Sequence, residues 1–542
     1  MTRVKRRSPG IFLTAVLSVA AAVLVSPGCS PERKPKNVIL LTLDTLRADH
    51  VGAYHGGKAA TPALDGLAAR GILFENAWSH IPITLPSHAS IFFGRPPHEV
   101  MNYNNGQPIT ARQDRPSFVE AFREKGFATA AFVSLGVLLP QFGLTGGFDD
   151  YRADFPSSRW YLTAGEVNRG VIPWLEAHWA KPFFLWVHYS DPHNPYCPPD
   201  MPDDLKLRLN GRVIGSFRLS DYEIKQVELD LEAGENTVVF ETENPYQPNP
   251  TQYMARLDLI GFGPEAAMKG VFWKHAGRWY TLPGTDIRFF KNGASLMVRS
   301  PSARKVTMEF RGQLNLFKED NRKLYRREVE YMDGRIGELF AALDRLGLRD
   351  ETAVVAVADH GEGLGDYLLD GIPHFGHIHF LESDYLHVPL IVSVPGNRQD
   401  GSRRAEPVAL TDIAPTLLHL MGLRGGEGLP GRDLLRLPAG AAAPVFMETY
   451  RPEAENDQFG LLDGRWHLIF RPEKGLRWMY DYVADPSEKT NLWGSGSFPA
   501  EIGRDLDRRL TAFARDILAG KKETPIDSKT EEMLKSLGYV GK

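Results

Sequence analysis

The sequence predicts an α/β protein: a mostly parallel sheet covered by helices on both faces, with an inserted β-sandwich-like module and a smaller C-terminal α+β subdomain. Three observations carry this. Short apolar runs, continuous rather than alternating, recur along the chain, as strands buried on both faces require. Helical stretches lie between several of them, and strand–helix alternation favours parallel pairing. A central block and a terminal block break this rhythm and read as β-rich pieces of their own. At 542 residues, 43% hydrophobic and 24% charged, the chain is long enough for two or three cores. A formal net charge of -4, with no long basic run after the first few residues, gives no field that would gather nucleic acid, which is excluded as a partner.

Taken in order, residues 1–29 read as an export signal: Arg3, Lys5, Arg6 and Arg7 precede the apolar run Ile11 to Val25, followed by small residues and Cys29. The run is short for a membrane span. Ser26-Pro27-Gly28-Cys29 looks like a bacterial lipoprotein cleavage site, in which the cysteine becomes the acylated first residue; plain secretion and an uncleaved anchor are the alternatives. Polar residues 30–36 make a tether. The expectation is an exported lipoprotein of the cell envelope, held to the membrane by its lipid anchor and facing the periplasm or exterior. With Cys29 acylated, Cys197 has no intramolecular partner for a disulfide, and it reads as a non-catalytic loop thiol.

The main domain runs over 37–201 and resumes over 317–442. Its buried strands are expected at Val38 to Leu43, Ala128 to Val133, Phe183 to Val187, Val354 to Val357 and Leu390 to Val394. Thr61-Pro62 starts a helix with a cap residue and a first-turn proline, Leu64, Leu67 and Ala68 line one face, and Gly71 stops it. A second helix carries Val329, Met332, Ile336, Leu339, Leu343 and Leu346 at three- and four-residue spacing, with Gly347 near its end. Between them, residues 202–316 alternate: Leu205, Leu207 and Leu209, an Asn210-Gly211 turn, Val227, Leu229 and Leu231, then Val238 and Phe240 after Ala233 to Asn236. This is an antiparallel insert, either structural or glycan-binding. Residues 443–542 carry strands at Val445 to Thr449, Gly460 to Leu462, Trp466 to Phe470 and Trp478 to Tyr482, then a closing helix around Ile502 to Leu518.

Four constellations carry chemistry. Asp44 ends the first strand, where open α/β sheets bind ligands and a carboxylate can hold a metal; alone, it reads first as a helix cap. In Thr84-Leu85-Pro86-Ser87-His88-Ala89-Ser90, Pro86 fits a first helical turn, which sets the Thr84 hydroxyl near the positive end of a macrodipole, where a tetrahedral anion is attracted. The plain alternative is an N-cap threonine; as a nucleophile the hydroxyl needs metal coordination to activate it. Asp359-His360-Gly361-Glu362 follows another apolar strand and offers an oxygen and a nitrogen ligand, a mixture that suits zinc better than calcium. Of the nearby His374, His377, His379 and His387, His377 is taken as functional. In Asp191-Pro192-His193-Asn194-Pro195, prolines bracket His193 and can aim its imidazole at a bound ester, whereas His188, inside the strand, reads as packed.

Asp44, the Thr84–Gly94 block, the Asp191-Pro192-His193 loop and Asp359-His360-Gly361-Glu362 resemble, in this order, sulfatases and their relatives in the alkaline phosphatase superfamily. The resemblance continues through Thr411-Asp412-Ile413-Ala414-Pro415-Thr416-Leu417, Tyr480-Asp481, Asp485-Pro486 and Asn491-Leu492. It implies an alkaline phosphatase-like fold and a divalent metal, zinc or calcium, held by Asp44, Asp359 and His360, with Thr84 bridging metal and substrate. It also implies that His193 and His377 contact the ester oxygens or assist the leaving group. Three departures stand out: Thr84 occupies the position of the cysteine or serine that becomes formylglycine and cannot give that aldehyde, His88 replaces the arginine that closes the motif, and Thr45 and His360 replace an aspartate and an asparagine. A threonine nucleophile with an aspartate–histidine pair looks like the superfamily's phosphodiesterases and phosphoethanolamine transferases.

The expected activity is therefore metal-dependent hydrolysis of sulfate or phosphate esters on a small molecule or glycan, with in-line attack by Thr84 and a covalent ester intermediate. A phosphodiesterase or phospho-group transferase acting on envelope glycans or lipids, and an inactive glycan-binding lipoprotein, are the competing expectations; the presence of every proposed ligand disfavours the last.

Overall fold

A computed structural model describes residues 34–536 apart from short stretches, of which 243–254, 264–270, 110–115 and 451–456 are the longest. The signal and lipoprotein readings of residues 1–29 and the first part of the tether lie outside the described residues. Among the described residues no helix is long and apolar enough to cross a membrane.

The centre is a nine-stranded sheet. Its strands are β1 (Asn37–Leu43), β2 (Ile72–Trp78), β3 (Ala128–Phe132), β4 (Asp150–Arg152), β5 (Phe183–Tyr189) and, beyond the insert, β16 (Thr352–Val357), β19 (His387–Ser393), β20 (Ser402–Arg404) and β21 (Val408–Ala409). They lie in the order β20-β2-β19-β16-β1-β5-β3-β4, with β21 beside β2. Every pairing is parallel except those of β19 with β16 and β2, so β19 alone runs against the rest. All seven residues of β1 and of β5 are buried, the two-sided burial that continuous apolar runs demand. β2 is the core strand the apolar-run rule does not single out, because Glu75 and Asn76 interrupt its buried ends.

The helix Pro62–Ala68 buries Leu64, Leu67 and Ala68 as expected. Its cap differs: Thr61 makes no capping bond, because its hydroxyl accepts from the Gly52 N–H at 2.8 Å and donates to Asp65 at 3.0 Å. The carboxylate of Asp333, from the long helix Lys318–Arg345, instead receives the Ala63 and Leu64 N–H groups, each at 2.9 Å. The helix ends at Ala68, short of Arg70. The long helix turns Val329, Met332, Ile336, Leu339 and Leu343 into the main core.

The insert is a pair of antiparallel sheets over one core. Six strands run in the order Arg278–Thr281, Val271–His275, Ala294–Ser300, Gly234–Thr242, Leu205–Leu209, Arg212–Phe217, and four in the order Ile287–Phe289, Ala255–Gly263, Arg304–Leu314, Lys225–Leu231. In chain order these are β6 to β15. Leu207, Val238 and Phe240 from one sheet meet Leu229, Met308 and Phe310 from the other. Asn210 (φ 49) and Gly211 (φ 82) close the β6–β7 hairpin with two left-handed residues, as a two-residue turn of this hand requires. The Ala233–Gly234 connection does not close a hairpin; β8 and β9 belong to different sheets.

A hairpin, β17 (Gly363–Leu369) and β18 (Ile372–Gly376), follows β16. The C-terminal piece is a four-stranded antiparallel sheet, β22 (Val445–Thr449), β23 (Gln458–Asp463), β24 (Trp466–Arg471) and β25 (Leu476–Asp481). The helix Ala500–Gly520 buries Leu506, Leu510 and Ala514 in the same core as Phe459, Leu461 and Leu468.

Candidate active site

Because β1 and β16 are parallel neighbours, with Thr42 beside Val357, the residues that leave their carboxyl ends emerge together. Asp44, Asp359 and His360 are fully buried, and each offers one ligand atom within 4.8 Å of the others. Both carboxylates are held by one oxygen only. Asp44 Oδ2 accepts from His188 Nε2–H at 3.2 Å; the Ser134 backbone N–H points at His188 Nδ1 at 3.3 Å, which leaves the ring proton on Nε2. Asp359 Oδ1 accepts from the N–H groups of His360 (2.8 Å) and of Thr45 (3.3 Å), the latter in the left-handed region at φ 58. Asp44 Oδ1 and Asp359 Oδ2 are buried without a hydrogen-bond partner. His360 Nδ1 donates to the Gly361 carbonyl at 2.9 Å, so its Nε2 lone pair faces Asp359 Oδ2 at 3.4 Å.

Two buried carboxylates and an imidazole lone pair turned toward one point are costly unless a cation takes them up. The titration of the pair reflects this. Burial pushes Asp359 well above the usual carboxylate range, and the charge of Asp44 adds to it. Burial raises Asp44 too, but the His188 hydrogen bond and the neighbouring histidines outweigh it and hold the group below its ordinary value. The orphaned oxygens and the oxygen–nitrogen donor set fit a divalent cation.

Thr84 opens the helix Thr84–Phe93; Ile83, extended at φ -141, is the cap residue, so Thr84 is not the N-cap. Thr84 Oγ1 lies 3.4 Å from His360 Nε2. Ser87 Oγ donates to the Asp359 carbonyl at 2.7 Å and ties the helix to the end of β16. One turn in, His88 Nδ1 donates to the Thr84 carbonyl at 2.8 Å and lies 3.6 Å from Asp359 Oδ2; its Nε2 is buried without a partner. Burial, helped by His188, pushes His88 down to about 3, so its ring is neutral at ordinary pH.

The His193 and His377 rings are 5.0 Å apart, and His377 is 4.4 Å from His360, so the two expected ester-contacting histidines stand over the same cluster. The Asp191 carboxylate accepts the Ala164 N–H at 3.0 Å and thereby fixes the loop that carries His193. His193 Nδ1 donates to the Asn194 carbonyl at 2.6 Å. Burial and the charge of His193 push His377 down to about 3. Two other histidines of that region point elsewhere: His374 Nδ1 meets the Tyr385 hydroxyl and His387 Nε2 the Glu75 carbonyl.

Two residues join the site that sequence reasoning left out. His188, read as packing, is the partner of Asp44; the signal is the β1–β5 register, which sets His188 beside Thr42 and is invisible without the pairing. Glu362 is buried, 3.6 Å from His377 Nδ1, with Oε2 lacking a hydrogen-bond partner; burial pushes it up to about 8, so it holds a proton at neutral pH. Its place in the Asp359–Glu362 run was its only signal.

A Sulfatase family model matches residues 36–423, and a model of the C-terminal region of N-sulphoglucosamine sulphohydrolase matches 375–516. An N-acetylglucosamine-6-O-sulfatase of Bacteroides thetaiotaomicron is 22% identical over 521 residues, covering 91% of this chain and 89% of its own. A choline-sulfatase of Rhizobium meliloti is 23% identical, over 89% of this chain and 86% of its own. Among solved structures, a protein in complex with its substrate D-glucosamine-2-N,6-O-disulfate superposes with a TM-score of 0.59 at 17% identity, over 90% of this chain and 99% of the other. The phosphonate monoester hydrolase of Agrobacterium radiobacter does so with 0.54 at 18% identity, over 90% and 95%. With its sheet order, its strand-end cluster and this match across most of its length, the chain belongs to the sulfatase family of the alkaline phosphatase superfamily and is a sulfatase-like ester hydrolase.

Proposed function

We propose that the chain hydrolyses sulfate or phosphate esters of glycans with Thr84 as nucleophile, in a site that works with a divalent cation held by Asp44, Thr84, Asp359 and His360. The observation that carries this is the convergence of the Thr84 hydroxyl with His360 Nε2 beside the two orphaned carboxylate oxygens. A cation there supplies charge for the nonbridging ester oxygens and makes the Thr84 alcohol easier to ionise.

Thr84 Oγ1 forms the new bond to sulfur or phosphorus while the bond to the departing sugar oxygen breaks on the opposite side; the hydroxyl proton passes to solvent. The positive end of the helix dipole behind Thr84 favours the charge gathering on the reacting group. His193 and His377 face that space; the neutral His377 ring passes its N–H proton to the departing oxygen as Nδ1 takes up another from Glu362, which is protonated at neutral pH and 3.6 Å away. Water then attacks the Thr84 ester, releasing sulfate or phosphate and restoring the hydroxyl. His88 holds the Thr84 carbonyl and with it the angle of attack.

Sulfated-sugar names among the relatives support a glycan substrate. Threonine, which cannot become formylglycine, together with the phosphonate monoester hydrolase among the structural neighbours, supports phosphorus as the alternative to sulfur. The N-terminal signal pattern supports a lipid-anchored envelope location, which palmitate labelling and its loss in Cys29→Ser would test. The decisive experiment is turnover of an aryl sulfate and a bis-aryl phosphate by metal-loaded protein, with mass spectrometry of the Thr84 peptide. Covalent sulfate or phosphate on Thr84, absent in Thr84→Ala, is expected; turnover that survives Thr84→Ala sinks the mechanism.

A further inference from the structure

Asp44 and Thr45 are the central residues of a turn closed by the Leu46 N–H, which donates to the Leu43 carbonyl at 3.3 Å. Thr45, the third residue of that turn, is left-handed at φ 58, a conformation that glycine supplies without strain and a β-branched side chain resists. A residue keeps such a backbone only where its surroundings enforce it. Thr45 is fully buried, and three hydrogen bonds hold it. Its hydroxyl donates to the Asp44 carbonyl at 2.7 Å, its N–H to Asp359 Oδ1 at 3.3 Å, and its carbonyl accepts the Tyr325 hydroxyl at 2.8 Å.

The third of these bonds comes from neither the turn nor a proposed ligand. Tyr325 lies on the long helix Lys318–Arg345, 280 residues further along the chain. Its phenol oxygen also accepts the Arg47 N–H at 2.9 Å, so a single hydroxyl bridges the backbone on both sides of Leu46. The ring is fully buried, edge-on to His50 and Tyr196 at 4.8 and 5.6 Å between ring centres, which fixes where the hydroxyl points.

The turn stands between two carboxylates. If Thr45 left the left-handed region, the peptide that follows Asp44 would swing, and its N–H would leave Asp359 Oδ1. Asp359 would then lose one of the two N–H groups that hold Oδ1 and keep Oδ2 turned to the cluster. We propose that Tyr325 is a positioning residue for the cation site: its hydroxyl holds Thr45 left-handed, and the turn so held orients Asp44 through the chain and Asp359 through the Thr45 N–H. The inference rests on the cation site proposed above and adds to it a brace that touches neither ion nor substrate.

The test places Tyr325→Phe, which removes the hydroxyl and keeps the ring, in the full chain and in the full chain carrying Thr45→Gly, where the turn needs no brace. Zinc and calcium affinities are read by competition with a chromogenic chelator, and melting temperatures are taken on the chelated proteins. With Thr45 present, Tyr325→Phe should weaken binding of the ion by about 10–100-fold, as loss of a partner that orients a ligand does. With Thr45→Gly the same substitution should weaken it by less than about threefold, because glycine holds the turn unaided. The melting temperature should fall in both backgrounds, since the Arg47 N–H loses its acceptor in each. Unchanged affinity in folded Tyr325→Phe protein overturns the proposal, as does an equal loss in both backgrounds, which would make the phenol a general support of the fold. If Tyr325→Phe alone does not fold, the double variant decides: affinity matching that of Thr45→Gly supports the brace, and a double variant that also fails to fold overturns it. A parent chain that binds neither zinc nor calcium would fell the cation-site reading and this inference with it, whereas a binding parent with an indifferent Tyr325→Phe fells only the inference.

Discussion

Asp359→Asn separates a cation site from a merely buried carboxylate pair. The amide keeps the oxygen that accepts from the Thr45 and His360 N–H groups, and removes only the charge and the orphaned Oδ2. An ion bound only by the folded chain stabilises it by about 2.7 kcal/mol at one hundred times its dissociation constant. With an unfolding entropy of roughly 2 cal/mol/K per residue over a chain of this size, that is a rise of about 2.5 °C in melting temperature. Losing a direct carboxylate ligand should weaken binding at least ~100-fold, since even supporting partners of ligands are worth 10–100-fold. The same ion concentration then only equals the variant's dissociation constant, and the increment falls to about 0.4 kcal/mol, well under 1 °C. Without the ion the order reverses: the variant, freed of a carboxyl that burial and Asp44 disfavour, should melt at or above the chelated parent. Scanning calorimetry of both proteins, after chelation and across zinc and calcium series, reads both signs. A parent indifferent to chelator and ion, or a variant with the parent's full increment, would refute the reasoning.

Other outcomes follow from the same geometry. Thr84→Ala should lower turnover at least ~10³-fold while losing less of the ion-dependent melting increment than Asp359→Asn, since a neutral alcohol holds the ion less strongly than a carboxylate, and Thr84→Ser, which restores the alcohol, should recover turnover to within about tenfold; steady-state kinetics beside calorimetry checks this, and an active Thr84→Ala is the adverse result. His188→Ala removes the donor that pins Asp44 Oδ2 and should weaken ion affinity by about 10–100-fold without touching substrate, read by competition with a chromogenic chelator. Burial and Glu488 push Glu382 up to about 7. As its folded value exceeds its unfolded one, its effect is nil below about pH 4 and the folded state loses stability as pH rises toward 7. Glu382→Gln should therefore gain on the parent between pH 5 and pH 8, by up to about 3 kcal/mol in denaturant titrations; identical pH slopes would contradict the assignment.

What could be read from the sequence depended on whether the signal was local. The runs behind β1, β3, β5, β16 and β19 are short, apolar and bounded, so their existence was legible; that β19 runs against its neighbours was not, because periodicity carries no direction. Asp44, Thr84, Asp359 and His360 could be named since each sits at the junction of an element with a loop, where ligands gather. His188 could not, since its role exists only once β5 lies beside β1 in a particular register. Nor could the exchange of Thr61 for Asp333 as the acceptor at a helix start, because the winning carboxylate comes from a helix 270 residues away. The alternation in the insert showed its strands but not which sheet each joins, since Val227 to Leu231 and Val238 to Phe240 look like a hairpin until their partners are known.

The pairing of β1 with β16 joins Asn37 to Thr352, 315 residues later, and the candidate ligand groups are divided across that seam. A chain still being synthesised therefore carries Asp44 and the Thr84 hydroxyl long before Asp359 and His360 exist, and the whole insert must be made in between. Such late closure is slow to form, because the entropy of a long loop is spent before its contacts repay it. On the proposed mechanism, a half-made molecule would have no preformed cage for stray cations and no activated alcohol, so cation capture and reactivity would arrive together.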